Sequence, residues 1–398
     1  RIPELVARAY DHATAGEPGP VVLSLPEDVL MTMTSAPIAS RVCVPAAEPS
    51  DDEIGRVVER LTCAARPLVV AGGTGWTGAG VDRLRSFAET NRLPVATTTR
   101  NQDLIDNDSP VHVGTLGLRT TDGLPRLAAE ADVVLLIGSR PDGLTVGDGD
   151  WLAAPQPDQE LLHVHPDPDV LNSVYRAEVA VAAGPAAFAD ALAKYALADA
   201  ADAGWLARLR RNLERSADAP AAGGDPRAYM SVLNQRLAPD AILTAGAGAY
   251  TAWPQRFRRY THYPSQLASR SGAMGYGLPA AIAAKLAMPE REVVAFSGDG
   301  CFGMNGQELS TAVRYGLDLT VVVVNNSTYG TILGHQRREF PGRPSGTALE
   351  NPDFAALARA HGAYGATATT PEEFAAALDE RPSGPSGPSL IEVVFPYP

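Results

Sequence analysis

The sequence predicts an α/β protein with two consecutive domains, each built on a doubly wound parallel sheet. Its 398 residues are more than one hydrophobic core usually organises, so several domains are expected. Apolar, strand-like runs alternate with helical patterns along most of the chain, which is typical of parallel sheets covered by helices. Runs rich in proline, alanine and glycine interrupt this alternation, and they predict a middle domain at 48–195, a linker at 196–224 and a C-terminal domain at 225–398.

The composition is that of an ordinary globular protein. Hydrophobic residues make up 45% of the chain and charged residues 20%, so neither disorder nor a membrane span is predicted. The net charge of -13 would repel phosphate backbones, and we expect no nucleic-acid partner. The three cysteines lie far apart without metal-pair spacing, which favours a reducing compartment and predicts a cytoplasmic protein.

Residues 1–35 carry one helical pattern and one strand pattern. Apolar residues recur at helical spacing over 2–14, a run of Gly16-Glu17-Pro18-Gly19 breaks the pattern, and 20–25 predicts a buried strand. One helix and one strand do not make a domain, so this segment is either an appendage or the closing elements of a further domain. The first residues show neither an initiator methionine nor a signal-peptide core, so we expect them to be mid-protein sequence.

The middle domain carries a glycine-rich motif whose interpretation is ambiguous. Its predicted strands are 67–71, 94–98, 131–137 and 161–165. The run 73–78 fits the GxGxxG dinucleotide pattern, but the second strand ends in threonines instead of the acidic residue that holds a ribose. We therefore interpret these glycines as closing a tight strand-to-helix turn. His163 and His165 share one strand face without a third ligand nearby, so we predict a structural role for them.

The C-terminal domain contains the motif that carries chemistry. Its predicted strands are 241–244, 292–296, 319–324 and 390–395. The second of these runs directly into Gly298-Asp299-Gly300, and the third ends at Asn325-Asn326 after a predicted helix at 305–314. A strand, turn, helix and strand fill the interval between the two motifs, so Asp299 and Asn326 should lie at adjacent strand ends, where open α/β sheets bind ligands.

These residue types suit a cation that anchors a diphosphate. Mg²⁺ prefers oxygen ligands and is usually held by one or two protein groups plus substrate phosphates. Asp299 offers a carboxylate and Asn326 an amide oxygen, while Gly298 and Gly300 allow a diphosphate to approach the backbone. A second Gly-Asp-Gly, centred on Asp148, serves as an internal control: no buried strand leads into it, and the same spacing reaches Val174-Tyr175 instead of asparagines.

The pair of motifs resembles the Gly-Asp-Gly and Asn-Asn signature of thiamine diphosphate enzymes. The stretch 270–281, Arg-Ser-Gly-Ala-Met-Gly-Tyr-Gly-Leu-Pro-Ala-Ala, resembles the segment that lies under the cofactor in acetolactate synthases, and Leu-Pro-Glu-Asp at 25–28 is also similar. The resemblance covers essentially the whole chain. It implies that 1–35 is the last helix and strand of a pyrimidine-binding domain, that 48–195 is a Rossmann-like middle domain, and that 225–398 binds diphosphate and Mg²⁺.

The resemblance also implies roles for individual residues. The metal would be held by Asp299, Asn326 and the backbone carbonyl of Thr328. The cofactor would contact the Gly298 and Gly300 turn, the Cys301 amide, and two further loops that contain Gly248, Ala249, Tyr250, Gly272 and Met274. Met274 would be the bulky residue under the bent cofactor. Ala249 departs from the family, which often has a polar side chain there.

The resemblance implies that the protein is a thiamine diphosphate- and Mg²⁺-dependent decarboxylase or carboligase. Such an enzyme is a transferase or lyase that acts on a small 2-oxo acid. Such enzymes are homo-oligomers, dimers or tetramers, with active sites at subunit interfaces. Their activating glutamate lies in the N-terminal domain, so we expect it before Arg1, predict no catalytic residue within this chain, and expect the isolated chain to be inactive. FAD on the middle domain is possible.

Two alternatives remain open at the sequence level. The chain could be one subunit of a split enzyme, or a nucleotide-binding or regulatory protein on the same fold; the combination of Asp299 and Asn326 with Met274 argues against the latter. The residues after Asn326 also lack the Gln-Trp-Gln-like stretch of acetolactate synthases. His335, Gln336 and Arg337 in this region either contact a substrate carboxylate or form a solvated helix face.

Overall fold

The computed structural model describes residues 1–40, 47–117, 121–147, 151–197, 202–218, 226–382 and 387–396. The control motif at Asp148 lies outside the described residues, as do parts of the predicted linker and of the proline- and alanine-rich run at 36–49 that precedes the middle domain. Within the described residues, the chain forms two sheets of six parallel strands each, both flanked by helices. The predicted fold class is therefore confirmed.

The first sheet has the strand order β3-β2-β1-β4-β5-β6. Its strands are β1 (Pro67–Ala71), β2 (Val95–Thr98), β3 (His112–Leu116), β4 (Val133–Ile137), β5 (Glu160–His165) and β6 (Val179–Ala182). The central strands β1 and β4 are apolar along their whole length and buried on both faces, as expected where helices cover a parallel sheet on both sides. Successive strands are added on one side of β1 up to β3 and on its other side from β4 onward, and this switch in strand order opens a crevice at the carboxyl ends of β1 and β4.

The second sheet has the strand order β11-β12-β10-β9-β7-β8. Its strands are β7 (Ile242–Ala245), β8 (Gln266–Ala268), β9 (Val293–Gly298), β10 (Thr320–Asn325), β11 (Tyr364–Ala368) and β12 (Ser389–Val394). Here β7 has β8 on one side and β9 on the other, so the order reverses at β7. The carboxyl ends of β7, β9 and β10 consequently meet at a second crevice.

The helices cover both sheets and connect their strands. In chain order they are α1 (Ile2–Thr14), α2 (Glu27–Leu30), α3 (Asp51–Cys63), α4 (Gly78–Asn91), α5 (Leu124–Ala128), α6 (Gly143–Val146), α7 (Pro185–Leu192), α8 (Ala203–Asp218), α9 (Arg227–Arg236), α10 (Ala252–Phe257), α11 (Gly277–Ala287), α12 (Asp299–Asn305), α13 (Leu309–Arg314), α14 (Gly330–Glu339), α15 (Phe354–Ala360) and α16 (Pro371–Glu380). None of the helices in the described part of the chain combines the length and apolar character that crossing a membrane requires.

The prediction of a buried strand at 20–25 is wrong. The segment forms no regular secondary structure and is exposed, with Val22 90% accessible, and among the described residues no strand pairs with it. An apolar run forms a strand only when a neighbouring strand takes its hydrogen bonds and a second layer covers it, and neither is present here. Helix α1 forms as predicted but likewise buries none of its residues.

The range predicted as a linker includes α8, which packs on the first sheet. Trp205 and Leu209 are buried in the core of that unit, and the Trp205 indole donates a 2.9 Å hydrogen bond to the Pro67 carbonyl. Arg210 donates to the carbonyls of Ser109 and His112 at the start of β3. By its contacts, α8 belongs to the middle unit.

Buried polar contacts join the two units of the chain, the middle unit built on the first sheet and the C-terminal unit built on the second. Gln102 and Gln266 are linked by two hydrogen bonds. The Gln102 backbone N–H donates to Gln266 Oε1 at 2.6 Å, and Gln266 Nε2 donates to Gln102 Oε1 at 3.0 Å. The Asp103 carboxylate accepts from the backbone N–H groups of Ser265 and Gln266. Because these groups are buried, their pairing fixes the turn after β2 against the start of β8.

Candidate metal and diphosphate site

A cavity of about 250 Å³ lies at the carboxyl ends of β7, β9 and β10. The structure brings all eleven predicted site residues to its wall: Gly248, Ala249, Tyr250, Gly272, Met274, Gly298, Asp299, Gly300, Cys301, Asn326 and Thr328. They come from four loops that are separated by up to about 80 residues in sequence, and parallel strand ends converge at one edge of the sheet. The predicted juxtaposition of Asp299 and Asn326 therefore exists in the folded chain, while the roles of these residues stay predictions.

Asp299 presents its carboxylate at the floor of the cavity. The residue is only 4% exposed, and helix α12, which was not predicted, begins at it; the helix predicted at 305–314 corresponds to α13. Its Oδ1 accepts from the Gly300 backbone N–H at 2.8 Å, and its Oδ2 accepts from the Asn351 side chain at 2.8 Å. Each carboxylate oxygen has two acceptor positions, so both oxygens retain capacity for a further ligand.

The loop after β10 carries the two other predicted metal ligands. The Asn326 side-chain oxygen accepts from the Thr328 backbone N–H at 3.1 Å, which folds the loop into an Asx-type turn. Between them, Ser327 adopts a φ of 53°, a left-handed conformation that costs free energy for a non-glycine residue. Two backbone hydrogen bonds, from Tyr329 to Thr347 and from Leu349 to Ser327, hold this loop against the chain at 347–349.

Two glycines, Gly298 and Gly300, leave the backbone uncovered in the cavity wall. A Cβ atom on Gly298 would lie 2.6 Å from the Tyr250 ring, and one on Gly300 would lie 2.5 Å from the Tyr329 ring. Real Cβ atoms do not approach neighbours so closely, so only glycine fits without displacing an aromatic ring. The backbone is consequently exposed to the cavity at both positions, as the sequence motif predicts for a group that approaches the main chain closely.

The thiol of Cys301 is the point at which three loops meet. Its Sγ accepts from the Tyr250 hydroxyl and from the Gly275 backbone N–H, each at 3.1 Å. The Tyr250 oxygen in turn accepts from the Gly246 N–H at 3.1 Å. Burial first, and the neighbouring Cys301 second, raise the pKa of Tyr250 well above its usual value, so its hydroxyl stays protonated and remains a donor.

Met274 lies on the side of the cavity that faces solvent. It is 37% exposed and stands on a loop in which Gly272 and Gly275 have positive φ values of 70° and 83°. A Cβ on Gly275 would lie 2.8 Å from the Asn305 side chain, so this loop is closely packed on α12. The methionine therefore projects from a constrained backbone, which agrees with a supporting surface for a bound group.

Some residues at the site carried no sequence signal. Tyr329 and Ile332 line the cavity, and Asn351 contacts Asp299 from a position 52 residues later in the chain. Such contacts depend on the fold, and no local pattern marks them. By contrast, His335, Gln336 and Arg337 lie on α14 and are not among the described residues that line the cavity.

A second cavity of about 500 Å³ lies between the two units, at the crevice of the first sheet. The predicted glycine turn lines it: Gly73 and Gly75 have φ values of 76° and 85°, and a Cβ on Gly73 would overlap the Gly138 carbonyl. Three arginines that also line this cavity are Arg100, Arg140 and Arg270. The glycines thus close a tight turn as predicted. The cavity beside them is lined by both signs of charge, since Glu17, Asp103 and Asp142 face it as well, and Arg270 and Arg100 form ion pairs with Glu17 and Asp142.

His163 and His165 lie on β5, on the same face of the first sheet. The His163 Nε2 is 3.0 Å from the Ser139 carbonyl, and the His165 ring bonds to the backbone of Asp167. Burial lowers the pKa of His163 to about 4, so this ring is neutral at physiological pH. Both imidazoles therefore have structural hydrogen-bond partners, in agreement with the role predicted from the sequence.

Comparison with protein families agrees with this architecture. Residues 54–192 match the central domain of thiamine pyrophosphate enzymes, and residues 246–393 match their C-terminal domain, which binds thiamine pyrophosphate. The chain is 32% identical to the acetolactate synthase large subunit of Parasynechococcus marenigrum over 98% of its length, and 30% identical to the isozyme 2 large subunit of Escherichia coli, also over 98%. A Corynebacterium glutamicum acetolactate synthase large subunit is 29% identical over 99% of the chain.

The chain belongs to the thiamine pyrophosphate enzyme family. Within that family, the relatives it resembles are large subunits of acetolactate synthases. The matched region spans 64% of the Parasynechococcus protein, 65% of the Corynebacterium protein and 71% of the Escherichia coli protein.

Proposed function

We propose that this chain forms the metal- and diphosphate-binding half of a thiamine diphosphate- and Mg²⁺-dependent 2-oxo acid decarboxylase or carboligase. The observation that carries the proposal is the convergence of Asp299, Asn326 and Thr328 on one cavity whose wall is glycine backbone at Gly298 and Gly300. One carboxylate with two neutral oxygen ligands suits a divalent ion that also binds phosphate oxygens. The residues thus fit the group that the family binds.

Within this proposal, each loop has a separate task. Asp299, the Asn326 amide oxygen and the Thr328 carbonyl hold the ion, and the turns at Gly248 and Gly298 receive the diphosphate. Met274 supports the middle of the cofactor from the side of the cavity. When bound, thiamine diphosphate supplies the carbanion-stabilising chemistry needed to decarboxylate a 2-oxo acid. The protein supplies binding, orientation and exclusion of water.

The proposal includes a partner for the general acid–base step. No glutamate is among the described residues that line the cavity, whereas the family uses a glutamate from its N-terminal domain. We place this glutamate either before Arg1 in the same polypeptide or on a second polypeptide, with the active site completed at a homo-oligomer interface. Reading the coding sequence upstream of Arg1 separates the two arrangements, since an in-frame domain with a glutamate supports the first.

Calorimetry with thiamine diphosphate and Mg²⁺ tests the metal site. The wild-type chain should bind both, weakly because half of the cleft is supplied from elsewhere, and Asp299→Ala should lose the Mg²⁺-dependent part of the binding. Asp353→Ala is the matched control, because Asp353 lies in the same unit, caps α15 and does not line the cavity. Equal binding by the wild type and Asp299→Ala would contradict the assignment.

The second cavity is a candidate site for FAD or another nucleotide. Its three arginines and the backbone turn at Gly73 and Gly75 suit a diphosphate group, which would compete with Asp142 for Arg100 and with Glu17 for Arg270. This observation also favours the alternative of a nucleotide-binding or regulatory subunit, if thiamine diphosphate does not bind. Quenching of FAD fluorescence by the chain, with ADP as competitor, tests the assignment; flavin that remains fully fluorescent at high protein concentration would exclude it.

A further inference from the structure

We propose that Asn351 is a positioning residue for the metal site: its side-chain amide fixes the orientation of the Asp299 carboxylate, and Glu392 fixes that amide through Asn325. The inference rests on the proposed function, since it assigns a role in holding the ligand of a metal that the chain is proposed to bind. Asn351 belongs to neither sequence motif and lies in the segment between α14 and α15.

The Asn351 amide bridges the two strand ends that carry the motifs. Its Nδ2 donates to Asp299 Oδ2 at 2.8 Å and to Asn325 Oδ1 at 2.9 Å. Asp299 follows β9 and Asn325 ends β10, so one side chain connects both. The two N–H bonds of a carboxamide nitrogen match two oxygen acceptors, which uses the full donor capacity of Asn351 at this point.

A chain of hydrogen bonds determines which way each amide faces. Asn325 Nδ2 donates to Glu392 Oε1 at 2.6 Å, and Glu392 Oε2 accepts from the Thr367 hydroxyl at 3.0 Å. Because the Glu392 carboxylate accepts, Asn325 must turn its nitrogen towards it and its oxygen towards Asn351. Asn351 must then present its nitrogen, and that nitrogen is what Asp299 requires. The buried Glu392 thus determines which end of each carboxamide, the oxygen or the nitrogen, faces the next residue along this chain of hydrogen bonds.

The same series holds the loop that carries the other metal ligands. Asn325 Oδ1 also accepts from the backbone N–H and the hydroxyl of Ser327, at 3.1 and 3.3 Å. The segment at 347–349, which leads to Asn351, pairs with that loop through backbone hydrogen bonds. A change at residue 351 therefore affects Asp299 on one side and the turn between Asn326 and Thr328 on the other.

The expected consequence is a change in metal affinity. With Asn351 in place, both Asp299 oxygens have a donor and the carboxylate plane is fixed before a cation arrives. Groups that orient a metal ligand typically change metal affinity by about 10–100-fold when they are removed. Without the amide, Asp299 keeps only the Gly300 N–H, and its carboxylate can rotate about the bond to its Cβ.

The experiment is a titration of the full chain with Mn²⁺ in the presence of thiamine diphosphate, in which electron paramagnetic resonance measures free Mn²⁺. Asn351→Leu removes the amide at similar side-chain size. Asn234→Leu is the control, because Asn234 is a similarly half-buried asparagine of the same unit whose side chain bonds to Phe257 and Arg258, away from the cavity. Thermal unfolding of all variants is measured alongside.

We expect Asn351→Leu to weaken Mn²⁺ binding by roughly 10–100-fold, whereas Asn234→Leu binds Mn²⁺ like the wild type. Wild-type affinity in Asn351→Leu, with or without a lower melting temperature, would overturn the inference and leave the proposed function intact. If Asn351→Leu does not fold, Asn351→Ser takes its place, because a shorter side chain cannot bridge both oxygens. A wild-type chain that binds no Mn²⁺ with thiamine diphosphate contradicts the proposed function itself.

Discussion

The hydroxyl of Tyr250 donates a hydrogen bond to Cys301 Sγ over 3.1 Å, and this contact ties the turn after β7 to the turn after β9. Cys301 also receives the Gly275 N–H from the loop that carries Met274. Three loops that line the metal and diphosphate cavity therefore share one sulfur atom. The geometry of the cavity depends on this small polar cluster as well as on the strands beneath it.

Tyr250→Phe is expected to destabilise the fold by about 1–3 kcal/mol, because it removes two hydrogen bonds: the part-buried Gly246 N–H loses its acceptor and the buried Cys301 loses one of its donors. Tyr229→Phe provides the comparison. Tyr229 has the same overall exposure as Tyr250, and its hydroxyl makes one part-buried hydrogen bond, to the Thr369 carbonyl, so a loss of about 0.5–1.5 kcal/mol is expected. Urea unfolding measures both; a smaller loss for Tyr250→Phe than for Tyr229→Phe would show that the cluster contributes little.

Gly300→Ala should both destabilise the chain and weaken Mn²⁺ binding. The added methyl group would meet the Tyr329 ring at 2.5 Å, and moving that ring displaces the loop that carries Thr328. Overpacking of this kind typically costs about 1–3 kcal/mol.

Gly303→Ala is the matched control for this substitution. Gly303 lies in the same helix, α12, is exposed, and has no atom within 4 Å of a Cβ placed on it. Alanine there should be neutral or stabilising by up to about 1 kcal/mol, because alanine favours helix more than glycine does. Melting temperatures that fall equally for both variants would contradict the steric argument.

The buried Asp103 makes the free energy of unfolding depend on pH, and the direction of this dependence follows from its pKa. Burial, the largest cause, raises its pKa from 3.8 to about 6, although the Ser265 and Gln266 N–H groups oppose the shift. The folded chain therefore binds a proton more tightly than the unfolded chain, and this contribution to stability is present below about pH 4 and lost as the pH rises through 6. The stability of the wild type minus that of Asp103→Asn should fall by up to about 3 kcal/mol between pH 4 and 6.

His112 serves as a control, because its effect on the free energy of unfolding should change with pH in the opposite direction. Burial lowers the pKa of His112 to about 4, so the folded chain binds that proton less tightly than the unfolded chain. The stability of the wild type minus that of His112→Gln should accordingly rise from about pH 4 to 6.5. Denaturant unfolding at a series of pH values measures both differences, and two slopes of the same sign would refute the assignment of either group.

The central strands could be predicted from the sequence because burial on both faces leaves a continuous apolar run, as in β4 and β10. The edge strands could not be predicted in this way. β3 contains His112, Thr115 and a glycine with φ of 112°, β8 has three residues, and most of β11 is only partly buried. Such strands are defined by the neighbour they pair with, and their own sequence carries little periodicity.

At the site, too, some contacts could be predicted from the sequence and others could not. Asp299 and Asn326 could be placed together because the topology of a parallel sheet brings consecutive strand ends to one edge. The contact between Asn351 and Asp299 depends instead on how the segment before α15 folds back over the sheet. Segment 20–25 shows the reverse error, since its apolar residues predict burial that only additional neighbours could provide.

One short piece of chain serves both cavities. Gln266, Ala268 and Arg270 line the cavity between the units, and Gly272 and Met274 line the metal and diphosphate cavity immediately afterwards. Only Ser271 separates Arg270 from Gly272 along the chain. A ligand that displaced the arginine would therefore also displace Gly272 beneath the other cavity, and in that case each ligand would change the affinity of the other by the same factor.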